Sequence, residues 1–410
     1  MLPVRFRIVV AGVDVAPVGL SGAIHWGRDG VDSQPAGAVA TVTIEDVDGT
    51  VARAAEVLAP FDVYVTAAGV ERRRFAGTVT DCTVDHAAGE TTIVASDELG
   101  RLARTYIGDE PWPAELDGAR VERILTLAGV DMAGAGPWQA QSGTWQSASG
   151  TWRVARAPNV DAGAVTITPR DVDRKSVLEL AQQTAADAWS VLFTDRAGLV
   201  NYRDSAHRPG SAERTLPAGV FDTEATFTRG TAGMTNRVRY GWGTSDPQDV
   251  VTVLDQPSID RYGVFDAQRG TQLAVQSEAD SLARRLVAVR RTPRWSAPAL
   301  MFDTAALDPD ADDLADVAWL LDAGCQSAFA VTGIAPPDPS FGGTAYLVVE
   351  GGVDTLDGNR LVVEFGCSSL RMVAPPTTWD DVPAGDRWAD IPADVAWLDV
   401  DDYYAPTRKG

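Results

Sequence analysis

The sequence predicts a mainly β protein with an α/β middle part and an extended C-terminal arm. Three observations carry that expectation. Residues 1–100 hold about six alternating or β-branched runs at short spacing, with no helical periodicity between them. Helical periodicity is confined to three short stretches further on. The last stretch, from 376, is rich in Asp and Pro and carries a tryptophan every nine residues, at Trp379, Trp388 and Trp397.

In the first region the strands are FRIVV, AVATVTIEDV, FDVYVTA, RRFAGTVTDCTVD and TTIVAS. The turns GRDG, DVDG, AAG and HAAGE separate them. Such a set suits a small barrel or sandwich. ASDELGRLAR is a short helical piece that closes this region. VERILTLAGV (121–130) predicts a helix with Val121, Ile124, Leu125 and Leu127 apolar and Gly129 as its stop. The Gly/Ser/Gln-rich stretch that follows carries Trp138, Trp145 and Trp152 at a spacing of seven and reads as a long loop. SVLELAQQTAADAW predicts a helix with Leu178, Ala181, Ala185 and Trp189 on one face, followed by the hairpin SVLF–TDRAG–LVNYRD. β-Character returns with ATFTRG, NRVRYGWG and VVTVLD. The helix of 277–290 has Ala279, Leu282, Leu286 and Val289 as its stripe, with Ser277 and Asp280 at capping-box spacing. APALMFDTA, AFAVTGIA, AYLVVEGG and RLVVEFGCS complete the strands.

The bulk numbers bound the function. A chain of 410 residues allows two or three domains. A net charge of −22 argues against a nucleic-acid-binding surface, yet suits one past which nucleic acid slides. The three cysteines, Cys82, Cys325 and Cys367, give no disulfide framework and read as buried thiols. No signal-peptide h-region or membrane-spanning run is visible, so no stable membrane insertion is expected.

Catalytic and metal motifs are missing, so no enzyme and no cofactor are expected. Cys82 and His86 could share a strand face, but a second ligand pair is lacking and packing is the simpler reading. DPDADDLADVAW (308–319) has acids at a calcium loop's first positions, but Asp313 stands where Gly belongs and Trp319 where Glu belongs. The acids read instead as the approach to a short helix. The pairs Glu179 with Asp187 and Asp204 with Asp222 could be imagined as glycosidase dyads, but 57 acids make such pairs commonplace. Arg284, Arg285, Arg290, Arg291 and Arg294 stand out in an acidic chain. They read either as a solvated helix face or as a contact patch for an acidic neighbour.

GAIHWGRDGVDSQPAGAVATVTIEDVDG, FAGTVTDCTVD and ASDELGRL follow one another in an order that resembles minor tail proteins of siphophages of high-GC bacteria. GAIHWGRDGVDSQPAGAVATVTIEDVDG fits the family's opening through Trp26, Gly27, Arg28, Pro35, Ala36, Gly37, Ala40, Thr41, Val42, Thr43, Asp46, Asp48 and Gly49. Phe75, Gly77, Val79 and Asp81 fit its next strand, and Ala95, Asp97, Leu99 and Leu102 its short helix. SVLELAQQTAADAWSVLFTDRAGLVNYRD is similar to a further segment, with Ala188–Trp189 replacing a small residue and Asp204 following an inverted Arg203. NRVRYGW and SIDRYGVFD…SEADSLARRLVA complete a likeness over roughly residues 4–370. It does not cover the insertion at 132–155 or the arm.

The resemblance implies a baseplate or tail-tip hub, similar to the trimeric hub of contractile tails. Two β-barrel hub domains would lie at 1–105 and 206–375, around a small α/β domain at 106–205 that carries the insertion. A homotrimer would form a pseudo-sixfold ring adapting a hexameric tail tube to a threefold tip. Its partners would be a distal tail protein or tube ring above, and minor tail or fibre proteins below. A tape-measure protein could lie in the lumen, and DNA would pass unbound. The chain would belong to the virion, assembled in the host cytoplasm. The arm, with Trp379, Trp388 and Trp397 as anchors, would hold a neighbouring tip protein. The alternative function is a carbohydrate- or receptor-binding tail component stacking sugars on Trp138, Trp145 and Trp152. A tail-associated cell-wall hydrolase is a third, weaker reading.

Overall fold

The alternation in the first region becomes sheet because each strand has one apolar face to bury. In Ala36–Glu45, Ala38, Ala40, Val42 and Ile44 are buried while Val39, Thr41 and Glu45 face out. The computed structural model describes residues 4–15, 19–67, 69–130, 145–147, 150–152, 159–221, 226–307, 314–334 and 344–373. Its helices are α1 (Thr50–Ala54), α2 (Glu98–Leu102), α3 (Asp117–Leu127), α4 (Val177–Asp187), α5 (Gln256–Tyr262), α6 (Gln276–Arg290) and α7 (Leu314–Asp322). None is long and apolar enough to cross a membrane.

The first and last β regions, far apart in sequence, meet in one 13-stranded sheet. Its spine runs Thr226–Gly230, Arg294–Asp303, Arg360–Ser369, Thr344–Asp357, Ser21–Gly27, Ala36–Glu45, Glu90–Ser96, Val70–Asp85, Pro60–Ala67, Arg5–Val10, Val13–Val15. Ala328–Thr332 pairs with Thr344–Asp357 and, in parallel, with Arg214–Pro217. The seam is the antiparallel pairing of Ser21–Gly27 with Thr344–Asp357, in register from Gly27↔Gly351 to Ser21↔Asp357. A single apolar cluster runs across it, from Val4, Ile24 and Phe61 to Leu347 and Phe365. Val70–Asp85 pairs through its first half with Pro60–Ala67 and through its second with Glu90–Ser96, with register shifts at Val63/Tyr64 and Val79/Asp81.

The middle part packs α3 and α4 together over Leu99, Trp112, Leu192 and Tyr202. Gly129, at φ 72, lies just past the end of α3 as expected. Ser176 caps α4, its Oγ accepting the Glu179 N–H at 3.1 Å. The expected α4 face shifts: Leu178 is half-buried, while Leu180, Ala181, Thr184 and Ala185 are buried. α4 touches both α3 and the strand Val191–Thr194, so it needs a wider apolar face than one stripe supplies. The expected hairpin forms between Val191–Thr194 and Val200–Arg203.

Arg237–Trp242, Asp249–Leu254 and Asp266–Arg269 form their own three-stranded sheet under α6. There Ala279, Leu282, Leu286 and Val289 bury against Val238, Tyr240 and Val251. Each of the two leucines contributes about 1.5–3 kcal/mol by burial. The capping box expected at Ser277 and Asp280 does not form. Val275 is the N-cap without a side-chain bond; Glu278 accepts the Thr166 N–H at 2.7 Å, and Asp280 holds Arg284 at 2.7 Å. Both acids have stronger partners elsewhere.

Candidate functional site: a buried junction of charges

The seam strands place charges inside the protein. Gly27, at φ 81, faces Gly351, and a Cβ on Gly27 would lie 2.4 Å from the Glu350 carbonyl. Only glycine allows this approach. The strands therefore pinch, and the Arg28 N–H reaches the Glu350 carbonyl at 2.9 Å while its Nε reaches Oε2 at 2.5 Å. Both side chains are buried.

Four residues further along, Asp354 is 0% exposed. It accepts Arg74 Nε and Nη2 at 2.9 Å each, Trp26 Nε1 at 3.1 Å, and Arg196 Nη1 at 3.3 Å. Arg74 also donates to the Leu321 carbonyl, and Arg196 to that of Ala323 at 3.3 Å. The Arg196 guanidinium lies 3.7 Å above the Trp26 ring. Burial alone would raise the Asp354 carboxyl, but Arg196 and Arg74 hold it below its ordinary value. Burial, helped by the charge of Arg74, pushes Arg196 down to about 9. The Asp354 carboxylate is saturated by donors, so its chemistry is fastening. It ties the first sheet region, the 191–203 hairpin, the end of α7 and the last sheet region at one point.

A second group of guanidiniums lies around Trp189. Arg208 and Arg285 sit 5.2 and 4.8 Å from the Trp189 ring centroid. Arg290 bonds Asp32 at 2.5 Å, and Arg269 bonds the same carboxylate at 2.6 Å. Here the arginine stretch seen in the sequence is resolved, and it does not form one surface. Arg284 is in solvent beside Asp280, Arg285 is half-buried, Arg290 is buried, Arg291 pairs with Asp255 at 3.5 Å, and Arg294 opens a strand beside Gly230.

The other expected sites sort as follows. Trp138, Trp379, Trp388 and Trp397 lie outside the described residues. The backbones of Trp145–Ser147 and Gly150–Trp152 pair, with Trp145 opposite Trp152. Cys82 is in a strand that ends at Asp85, leaving His86 in the turn beyond, so the two do not share a strand face. Glu179 is bound to Lys175 at 2.9 Å in solvent while Asp187 is buried under the Gln272 N–H, which removes that dyad. Asp222 and residues 308–313 lie outside the described residues.

Sequence reasoning missed the group Asp161, Asp204 and His207, whose ligand atoms fall within 4.8 Å of one another. Asp204 Oδ1 already accepts the Ala206 and His207 N–H groups at 2.9 Å and lies 2.8 Å from His207 Nδ1. Asp161 Oδ2 accepts the Asp204 N–H at 3.0 Å. These bonds close a turn and use one oxygen of each carboxylate. The Asp354 junction was missed as well. Its signal was two acids, Glu350 and Asp354, inside apolar strand sequence, VVEGGVD, with Trp26 and Arg28 at the end of a strand elsewhere.

No protein-family model and no curated protein sequence matches the chain. Solved structures do match in fold. The tail protein of Neisseria meningitidis MC58 shares 10% identity at a TM-score of 0.55, over 91% of this chain and 99% of that one. The 43 kDa tail protein of prophage MuSo2 from Shewanella oneidensis shares 11% at 0.53, over 90% and 99%. Prophage tail protein gp18 from Listeria monocytogenes EGD-e shares 10% at 0.50, over 88% and 94%. This chain therefore has the fold of phage tail proteins along nearly its whole length.

Proposed function

We propose that this chain is a structural component of a phage tail tip, a homotrimeric hub joining a hexameric tail tube to a threefold tip. The observation that carries the reading is the likeness in fold to tail proteins over about nine-tenths of the chain and of its counterparts. The physical character of the molecule supports it. Its central polar site is a saturated, buried fastening, which suits a ring under mechanical stress better than turnover. In the assembled hub, residues 1–105 and 206–375 are the two ring-forming β domains, 106–205 the α/β domain between them, and the ring surrounds the DNA channel. The net charge of −22 keeps passing DNA from adhering. A distal tail protein or tube ring lies above and fibre proteins below, with the arm at 376–410 fastened to one of them.

Sedimentation of the purified chain at micromolar concentration tests this. A trimer is expected, and a stable monomer overturns the hub. A second reading, sugar binding by the insertion, is favoured only by the backbone pairing of Trp145 with Trp152. Retention on purified cell wall, lost in Trp145→Ala, would establish it.

A further inference from the structure

Buried guanidiniums in folded proteins are hydrogen-bonded and matched by carboxylates. The group around Trp189 breaks that rule. Arg208 is 3% exposed, and among the described residues neither its Nε nor its Nη2 has a hydrogen-bond partner. The buried Nε and Nη2 of Arg285 have none either. Arg290, 1% exposed, spends Nη1 on Asp32 but leaves Nε and Nη2 open. Of the nearby carboxylates, Asp32 is committed to Arg290 and Arg269, and Glu350 holds Arg28 through Oε2; its Oε1 is buried and unpartnered but lies beyond ion-pair distance of Arg208, so two carboxylates face five guanidiniums. Among the described residues no carboxylate lies within ion-pair distance of Arg208 or Arg285. Burial, reinforced by the charges of Arg28, Arg290 and Arg285, pushes Arg208 down to about 9.

The platform is also unusual. Trp189 has φ 55, a left-handed backbone that tryptophan adopts at a cost of about 1–2 kcal/mol. The two guanidiniums on its ring are thus held by a backbone conformation that opposes the side chain. Such sites persist when something else fixes them.

The chain itself supplies a source of negative charge. Leu370–Met372 packs against α6, and Met372 lies against Gly233. Two residues on from Gly233, the Thr235 N–H donates to the Arg290 carbonyl. Val373 clusters with Val31, the neighbour of Asp32. The chain thus leaves its described part beside the open guanidiniums. It continues into a segment with eight Asp and three basic residues over 376–410. Asp380 and Asp381 follow Val373 by seven and eight residues, a reach of about 25 Å when extended.

We infer that Arg208, Arg285 and Arg290 form an anion site on Trp189 whose ligand is a carboxylate from this chain's own C-terminal acidic segment. Bidentate recognition of a carboxylate by paired guanidiniums satisfies the open donors and offsets the excess buried charge. The inference concerns one chain and stands whether or not three chains form a ring.

The test uses the full chain with all eight arm aspartates changed to Asn, followed by thermal unfolding in chloride buffer. The Asn variant should melt about 2–4 °C below the natural chain. Millimolar inorganic phosphate should restore it while leaving the natural chain unchanged. Adding Arg285→Gln to the Asn variant should abolish the phosphate response. Equal stabilisation of natural and Asn chains by phosphate would overturn the arm as ligand, leaving an open small-anion site. No response in either, with unchanged melting, would mean that water satisfies the guanidiniums and would overturn the site. A difference that grows with protein concentration would assign the carboxylate to a second copy, against the inference.

Discussion

Of the described places where arginine packs on buried or half-buried tryptophan, two end differently. At the seam, Arg196 lies 3.7 Å over Trp26 and shares Asp354 with Arg74. Around Trp189, Arg208 and Arg285 stack on the ring, and among the described residues no carboxylate lies within ion-pair distance of either. The stacking contributes about 0.5–2 kcal/mol in either place. The difference is the counter-charge. Where strand register brings an acid into the site, burial yields a fastening that joins distant parts of the chain. Where no acid is delivered, burial leaves an open valence, which is how a site for something else arises.

The largest effect should come from breaking the closed site. Asp354→Ala would leave Arg74 and Arg196 buried and uncompensated. A loss of about 3–5 kcal/mol is expected in urea unfolding. A loss under 1 kcal/mol would mean that the backbone carbonyls of Leu321 and Ala323 suffice, and the contrast between the two sites would collapse.

Most of the local structure could be read from the residues, and the sites could not. Alternation in AVATVTIE and the stripe of α6 gave strand and helix faces directly, because burial of one face is a local rule. The seam depends on pairing residues 21–27 with 351–357, a separation of more than 300 positions that no local pattern encodes. Asp354 therefore looked like one acid among 57. The arginine stretch was visible, but three of its five members turned inward because α6 packs on a sheet beside Asp32 and Asp255. Trp189 looked like part of a helix face; it lies one step beyond the C-cap, in a backbone region that helix periodicity does not anticipate.

A third buried charge solves the problem by protonation, and it gives the next effect. Asp187 is nearly buried, with the Gln272 N–H at 3.1 Å as its polar contact, and burial raises its carboxyl to about 7. Its value in the unfolded chain is the ordinary one of 3.8. Below about pH 4 both states hold the proton and the group is silent. Between about 4 and 7 only the folded state holds it, so stability falls as pH rises and levels off above 7. The full effect is about 2–4 kcal/mol. Asp187→Asn should flatten this slope and raise stability at pH 8, measured by urea unfolding at a series of pH values. An unchanged slope would show that the carboxylate stays ionised, as Asp354 does, and would erase the distinction between paired and protonated solutions.

The smallest effect should come from the open site, and its smallness is what separates the two. Arg208→Met removes a buried cation and its stack on Trp189 while keeping the apolar stem. An arm carboxylate released by the change can return to water, whereas Arg74 and Arg196 cannot leave the seam. Desolvation relief thus offsets most of the lost pairing, and the expected cost in urea unfolding is under about 1 kcal/mol. A cost approaching that of Asp354→Ala would place Arg208 in a fastening as closed as the seam. A small cost, joined to loss of the phosphate response in the Asn-arm background, would fix Arg208 as a donor that holds a ligand rather than the fold.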